Sequence, residues 1–212
     1  MNLVTNPLAI ENESMRIIRA QLKLQWPREQ LPVVERLIHT SGDLSLENSI
    51  AIHPDAIAAG WQALARGANV ITDVEMVRAG ISKQSLHHLG GEVLCYLSDP
   101  AVPEKAQEWG LTRTMSAFRL HAPELAGAIV AIGNAPTALA EVLRLAEDPR
   151  FRPALIIGIP VGFVGAAESK ELLWSKQDMP SITVQGNRGG SPLAAASVNA
   201  ILYSYLKSLS FQ

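Results

Sequence analysis

AIVAIGNAPTAL at residues 128–139 and ALIIGIPVGFVGAAESK at residues 154–170 decide how this chain is read. Each opens on a short aliphatic run with no polar alternation. A strand with one wet face would alternate, so each run reads as a strand buried on both faces, as parallel sheets require. Each run then breaks at a glycine-containing turn and passes into a segment of helical spacing. The same pattern recurs on either side. Asn69–Thr72 (NVIT), Val93–Leu97 (VLCYL) and Ile182–Val184 read as strands, and Ile50–Ile52 as a shorter apolar run. Strand, turn and helix in alternation predict a three-layer αβα domain with a mainly parallel central sheet. Right-handed crossovers then bring the carboxyl ends of the strands to one edge, where ligands of such sheets bind. The glycine turns after Ile132, Ile159 and Val184 all fall on that edge.

The helices follow from spacing and punctuation. Glu11–Leu24 places Met15, Ile18 and Leu22 on one face, with Asn12 as its expected N-cap. A second helix begins near Pro32 and runs to His39, stopping at Thr40, Ser41, Gly42 and Asp43. Further helices are expected after Pro54, over Glu75–Ala79, around Ala106 and Trp109 behind Ser98 and Asp99, from Pro136 to Leu145, through Leu173, and from Pro192 to about Leu206. No repeat and no Ser/Gly linker divides the chain, so residues 1–212 are read as a single domain.

Composition narrows the function. With 48% apolar and 18% charged residues the chain is not disordered. Its 18 basic and 20 acidic residues leave a net charge of −2, so no general basic field attracts nucleic acid. Only 5% of the residues are aromatic, which argues against a base-stacking surface. Cys95 is the only cysteine, which rules out an intrachain disulfide and fits a reducing compartment. Inside VLCYL it reads as a buried, inert thiol. The longest apolar stretch, Ala154–Ala167, is broken by Gly and Pro and falls short of the about 20 residues of a membrane span. The opening MNLVTNPLAIENESMR lacks a basic segment followed by an apolar one, so no signal peptide is expected and the protein is read as soluble and cytoplasmic.

The chemistry is less explicit. There is no G-x-G-x-x-G after the first strand and no phosphate-binding G-x-x-x-x-G-K-[ST]; GFVGAAESK has the wrong spacing. No G-x-S-x-G marks a serine nucleophile, and no His, Cys and carboxylate set has zinc spacing. Helix starts behind IGNAP and GNRGGS offer unpaired N–H groups for an anion, around Gly133, Asn134, Gly189, Gly190 and Ser191; ligand-free turns would look the same. Arg188 is embedded in the second of these turns. Of the five histidines, His39 stands at a helix C-terminus, where the charged imidazolium is favoured. It reads either as a cap or as a general acid. His53 reads as a turn residue, and His87, His88 and His121 as exposed polar positions.

The chain resembles the precorrin-8X methylmutase family, also called cobalt-precorrin-8 methylmutase, over nearly its whole length. The resemblance rests on ESMRIIRAQ (13–21), RLIHTSGD (36–43), HPDAIAAGWQALARGANVITDVEMVRAGI (53–81), AIVAIGNAPTAL (128–139) and PALIIGIPVGFVGAAESKELL (153–173). It implies an isomerase of cobalamin biosynthesis that moves a methyl group from C11 to C12 of a carboxylated tetrapyrrole. No cofactor and no protein-bound metal are implied. It makes His39 the catalytic acid, with Ser14, Arg19, Thr40, Arg113, Asn134, Arg188, Gly189, Gly190 and Ser191 as substrate contacts, and it implies a homodimer with its active site near the interface. In QGNRGGS the chain departs from the family's more basic R-G-R-x-G-G-S, having Gln185 and Asn187. That puts one carboxylate contact in question. A tetrapyrrole carrier without turnover, or a nucleotide-dependent α/β enzyme, would show many of the same elements.

Overall fold

A computed structural model describes residues 5–210. The first residues of the segment tested for a signal peptide, and both extremes of the expected 1–212 domain, lie outside them. In chain order the elements are α1 (Pro7–Gln21), α2 (Leu31–Ser41), β1 (Ile50–Ile52), α3 (Ala56–Ala65), β2 (Val70–Thr72), α4 (Glu75–Gly80), α5 (Lys83–His88), β3 (Val93–Leu94), α6 (Val102–Trp109), α7 (Arg113–Leu120), β4 (Ile129–Ile132), α8 (Pro136–Leu145), β5 (Leu155–Gly158), α9 (Ala166–Ser175), β6 (Ser181–Val184) and α10 (Ser191–Leu209).

The six strands form one sheet in the order β1-β6-β5-β4-β2-β3. All pairs are parallel except β1 with β6, where Ile50 faces Val184 and Ile52 faces Ile182. The expected three-layer αβα fold is what forms. Strand residues alternate between two cores. Ile129, Ala131, Leu155 and Ile157 point toward α1, α2, α3, α4 and α10, whereas Val130, Ile132 and Ile156 point toward α7, α8 and α9. Both faces are covered, which is why these strands carry no polar alternation. Each buried aliphatic side chain contributes about 1.5–3 kcal/mol of transfer free energy, and strands and covering helices share that burial. Gly158 lets the α8–α9 layer approach closely, since a Cβ there would lie 2.6 Å from Leu173 and 3.1 Å from Leu139.

Several expectations are corrected. α1 starts at Pro7, not near Glu11; its cap is Asn6, whose Oδ1 accepts from Ala9 N at 3.0 Å, and Asn12 lies within the helix. Proline in the first turn needs no donor and fixes that earlier start. β3 stops at Leu94, so Cys95 is not in a strand. The chain turns away there, with Tyr96 stacking on His121 at 3.8 Å between centroids. Cys95 is half-buried, and burial pushes its thiol up. α5 and α7 are additional helices, the second opened by Thr112, whose hydroxyl accepts from Met115 N.

Candidate active site

The parallel strands end along one edge, and the strand order reverses there between β2 and β4. Sheets of this kind bind ligands at such a crevice, but here the chain fills it. Asp73, just past β2 and only 2% exposed, accepts from Gly133 N at 3.1 Å, Asn134 N at 2.8 Å and Ala135 N at 2.8 Å. Burial pushes its carboxyl up, and the three N–H groups offset part of that rise. The donors expected to await an external anion behind IGNAP are therefore occupied by an internal one. Gly133 also packs against the start of α10, where a Cβ would lie 2.7 Å from Ser191 Cα.

The turn between β6 and α10 is built differently. Gly190 N donates to Ile159 O at 2.9 Å, and Gly162 N donates to Asn187 O at 3.2 Å. Gly189 lies against the β5–α9 connection so closely that a Cβ would be 2.4 Å from Ile159 O. Gly190 has a φ of 122°, open only to glycine. Arg188 reaches across to the segment after α2, with Nη1 donating to Asp43 Oδ2 at 2.5 Å and to Ser45 Oγ at 3.2 Å. Hydrogen bonds from Ser45, together with Arg188, hold the Asp43 carboxyl below the usual carboxylate range.

Between this loop and the end of α2 opens a cleft of about 540 Å³, lined by Thr40, Asp43, Arg188 and Gly189 on its polar side and by Val161, Phe163 and Leu193 on its apolar side. Phe163 is 90% exposed and Val164 is 89% exposed. Both lie between Gly162 and Gly165, two glycines of positive φ. Of the two, Phe163 also lines the cleft.

His39 occupies the last turn of α2, next to Thr40. It lines a smaller recess of about 250 Å³ with Ser14 and Ile17 of α1. The helix is closed by Gly42, at φ 64°, whose N–H donates to Ile38 O at 2.9 Å. The capping reading of His39 is thereby corrected: glycine caps α2, and the exposed imidazole makes no hydrogen bond among the described residues. The floor below is firm. Glu47 is buried and accepts from Lys23 N, Leu24 N and Trp26 Nε1 at 2.9–3.2 Å, tying the α1–α2 connection to the turn after α2. Burial alone would raise its carboxyl, but those donors overcome it and hold it low.

The other expected contacts are dispersed. Ser14 faces the His39 recess, its hydroxyl donating to Ile10 O at 2.8 Å. Arg19 is on another face of α1, its guanidinium forked onto Glu35 at 2.5 and 2.9 Å. Arg113 opens α7 on the opposite face of the sheet, where Thr112 Oγ1 meets Thr137 Oγ1 at 3.2 Å; it is exposed and in no ion pair among the described residues. The Asn134 side chain is exposed above the turn closed by Asp73, and Ser191 is buried at the start of α10. His53 is the turn residue ahead of α3 that the sequence indicates, and it is buried. It accepts from Asp55 N at Nδ1 and donates to Gln177 O from Nε2. His121 is half-buried and pairs with Asp99 at 2.9 Å. The exposure expected of His121 is corrected: Tyr96 and Asp99 fold over a ring that local sequence leaves bare. His87 and His88 are exposed as expected.

Two residues at the edge escaped the sequence reading, Asp73 and the buried Lys170. An Asp directly after an aliphatic strand was the available signal for the first. An unbroken helical pattern hid the second. Among the described residues no three His, Cys, Asp or Glu side chains are close enough together to hold a metal ion, and no helix is long and apolar enough to cross a membrane.

The family profile described as precorrin-8X methylmutase matches residues 9–204, nearly all of this framework and both walls of the cleft. The chain belongs to the precorrin-8X methylmutase family. Its relatives include a cobalt-precorrin-8 methylmutase of Priestia megaterium, 45% identical over 94% of this chain and 88% of the relative. A precorrin-8X methylmutase of Pseudomonas aeruginosa is 42% identical over 91% of this chain and 93% of its own. The solved structure of a precorrin-8X methylmutase from Thermus thermophilus superposes with a TM-score of 0.85 at 32% identity, covering 94% of this chain and 98% of that one. A precorrin-8X methylmutase related protein gives 0.83 at 34% identity, over 90% and 100%. These are isomerases, and the precorrin-8X methylmutase fold accounts for the mainly parallel sheet and the carboxyl-edge cleft together.

Proposed function

We propose that this protein is a cytoplasmic isomerase of cobalamin biosynthesis that moves a methyl group from C11 to C12 of precorrin-8X or cobalt-precorrin-8, yielding hydrogenobyrinate or cobyrinate. The observation that carries the reading is the cleft itself. One wall is apolar (Val161, Phe163, Leu193), the other polar, and His39 stands in the separate recess beside α1, one residue before Thr40 of the cleft wall. A tetrapyrrole has wide apolar faces and a rim of carboxylates, so it needs such a mixed site. Phe163 suits the ring face, since aromatic contacts contribute about 0.5–1.5 kcal/mol beyond area burial. Thr40, Arg188 and the N–H group of Gly189 suit the rim, while Ser191 is buried behind that loop against Gly133. Ser14 shares the recess with His39, while Arg19, committed to Glu35, and Arg113 and Asn134, outside the cleft lining, stand apart from it.

In the proposed step His39 lends its proton to a ring nitrogen beside the migrating group. Protonation draws electron density from the conjugated system. The C11–methyl bond then breaks as the C12–methyl bond forms, in a 1,5-sigmatropic shift, and the proton returns to the imidazole. Nothing is oxidised and no group leaves the molecule. Any cobalt belongs to the substrate. The cleft is open on its outer side and bordered by the exposed Phe163 and Val164; a homodimer whose partner covers that side fits the reading.

Replacing His39 by Ala tests it. Conversion should drop by about 10²–10⁴-fold, the usual worth of a general acid, with product affinity little changed. Full conversion by the variant would remove His39 from the chemistry. Tight binding without turnover in the wild type would favour a carrier.

A further inference from the structure

Most buried ionisable side chains in this protein are well matched. Glu35 meets Arg19, Glu47 and Asp73 each meet several N–H donors, and Glu141 meets Arg119 and Arg144. Lys170 is different. It lies on the second turn of α9 with no exposed surface, and its one hydrogen bond among the described residues runs from Nζ to the carbonyl oxygen of Arg188 at 2.7 Å. An ammonium carries three donors and a full charge. The surrounding elements bring no counter-charge. β5 (LIIG), β6 (SITV), the first turn of α8 (PTAL) and the first turns of α10 (SPLAAA) contain no ionisable residue. Glu168 and Glu171, on α9 itself, are exposed. On the loop that Lys170 holds, Arg188 is already neutralised by Asp43.

A buried cation without a partner costs several kcal/mol, and an apolar side chain of similar length would serve the fold better. Its position explains its presence. The charge lies directly under the Arg188–Gly190 loop that forms the polar wall of the cleft, in surroundings of low polarity where a charge acts strongly over several ångströms. We propose that Lys170 is a positioning residue for an anionic substrate: it fixes the Arg188–Gly190 loop, and its missing counter-charge is a substrate carboxylate bound on that loop. This rests on the reading of the cleft as a site for a carboxylated tetrapyrrole.

Burial brings the Lys170 ammonium down to about 8. An arriving carboxylate favours the charged form and raises that value. Below the free-state value the lysine is charged with or without ligand, and affinity is full. As pH rises past it, binding must first recover a proton, so affinity falls. The charged groups nearest that loop are Arg188 on it and Asp43 opposite, paired with each other, and hydrogen bonds from Ser45 together with Arg188 hold the Asp43 carboxyl low.

The experiment is absorbance titration with hydrogenobyrinic acid, with kcat and KM measured alongside, for the wild type, Lys170→Met and Lys170→Gln between about pH 7 and about pH 10, the range spanning lysine deprotonation. The wild type should lose about ten-fold in affinity or more across this range, as one unit of pKa shift implies. Both variants should bind about ten-fold more weakly at the lower pH, raise KM more than they lower kcat, and show no pH dependence. Calorimetry in buffers of different ionisation enthalpy adds a test without mutation: wild-type binding near about pH 9 should take up protons. Folded variants with wild-type affinity and pH profile, or wild-type binding without proton uptake, would overturn the role of Lys170 while leaving the tetrapyrrole site intact. A wild type that neither binds nor converts the corrinoid would overturn both.

Discussion

Two glycine turns share the carboxyl edge of the sheet, Gly133–Ala135 after β4 and Gly186–Gly190 after β6. Both follow an aliphatic strand, both precede a helix, and both look ready for an anion. In the first, Asp73 takes all three N–H groups, so the chain supplies its own anion. In the second, no carboxylate among the described residues takes the backbone N–H groups; of that turn, Asp43 meets only the Arg188 side chain. The loop is stretched between Lys170 below and Asp43 opposite, and it forms the wall of the cleft. Glycine and a helix start create the donors. Whether they form a site depends on what the rest of the fold brings to them.

The sharpest way to break this contrast is Gly189→Ala. The new methyl would press on the Ile159 and Pro160 carbonyls, so the open loop must shift. A displacement of this kind costs about 10²-fold in catalysis, and steady-state kinetics should show a drop of that order in kcat/KM. Unchanged kinetics would mean that loop geometry is irrelevant to turnover. The closed turn should respond in the opposite manner. Asp73→Asn turns one acceptor into a donor facing N–H groups, costing about 2–4 kcal/mol of stability in denaturant titration. The folded fraction should keep most of its activity. Equal loss of activity and stability at both turns would erase the distinction.

A smaller effect concerns the supports. Glu47 beneath the open side and Glu141 on α8 are both held low, the first by N–H donors and the second by Arg144 and Arg119, against the raising effect of burial. Folded-state values below the unfolded one mean stability that is present above the ordinary Glu value of about 4.3 and lost as pH falls through the depressed values. Chemical denaturation at descending pH should show the decline, reduced in Glu47→Gln. The smallest effect is expected for Asn134→Ala. Its backbone is committed to Asp73 and its side chain is exposed, so product affinity should change by no more than the about 0.5–1.5 kcal/mol of one hydrogen bond. A larger loss would bring the closed turn back into the site.

The sheet was legible because its central strands are buried on both faces, and Ile129–Ile132 and Leu155–Gly158 say so in their composition. α7 was not, since RTMSAFRL is short and mixed, and its helicity depends on the Thr112 cap and on packing against α8. β3 was overestimated because VLCYL is apolar throughout, yet Tyr96 leaves the sheet to stack on His121. The residue types for the site were visible in GNRGGS and RLIHTSGD. Asp73 and Lys170 were hidden, because each gains its meaning from a partner distant in sequence. The capping interpretation of His39 failed for a local reason, the left-handed conformation of Gly42.

Gly133 and Ser191 touch across the edge with no room for a Cβ between them. The sealed crevice is therefore the abutment on which the working loop rests. Any drift in the first is inherited by the second, so a designer who wishes to retune one bend has to redesign both.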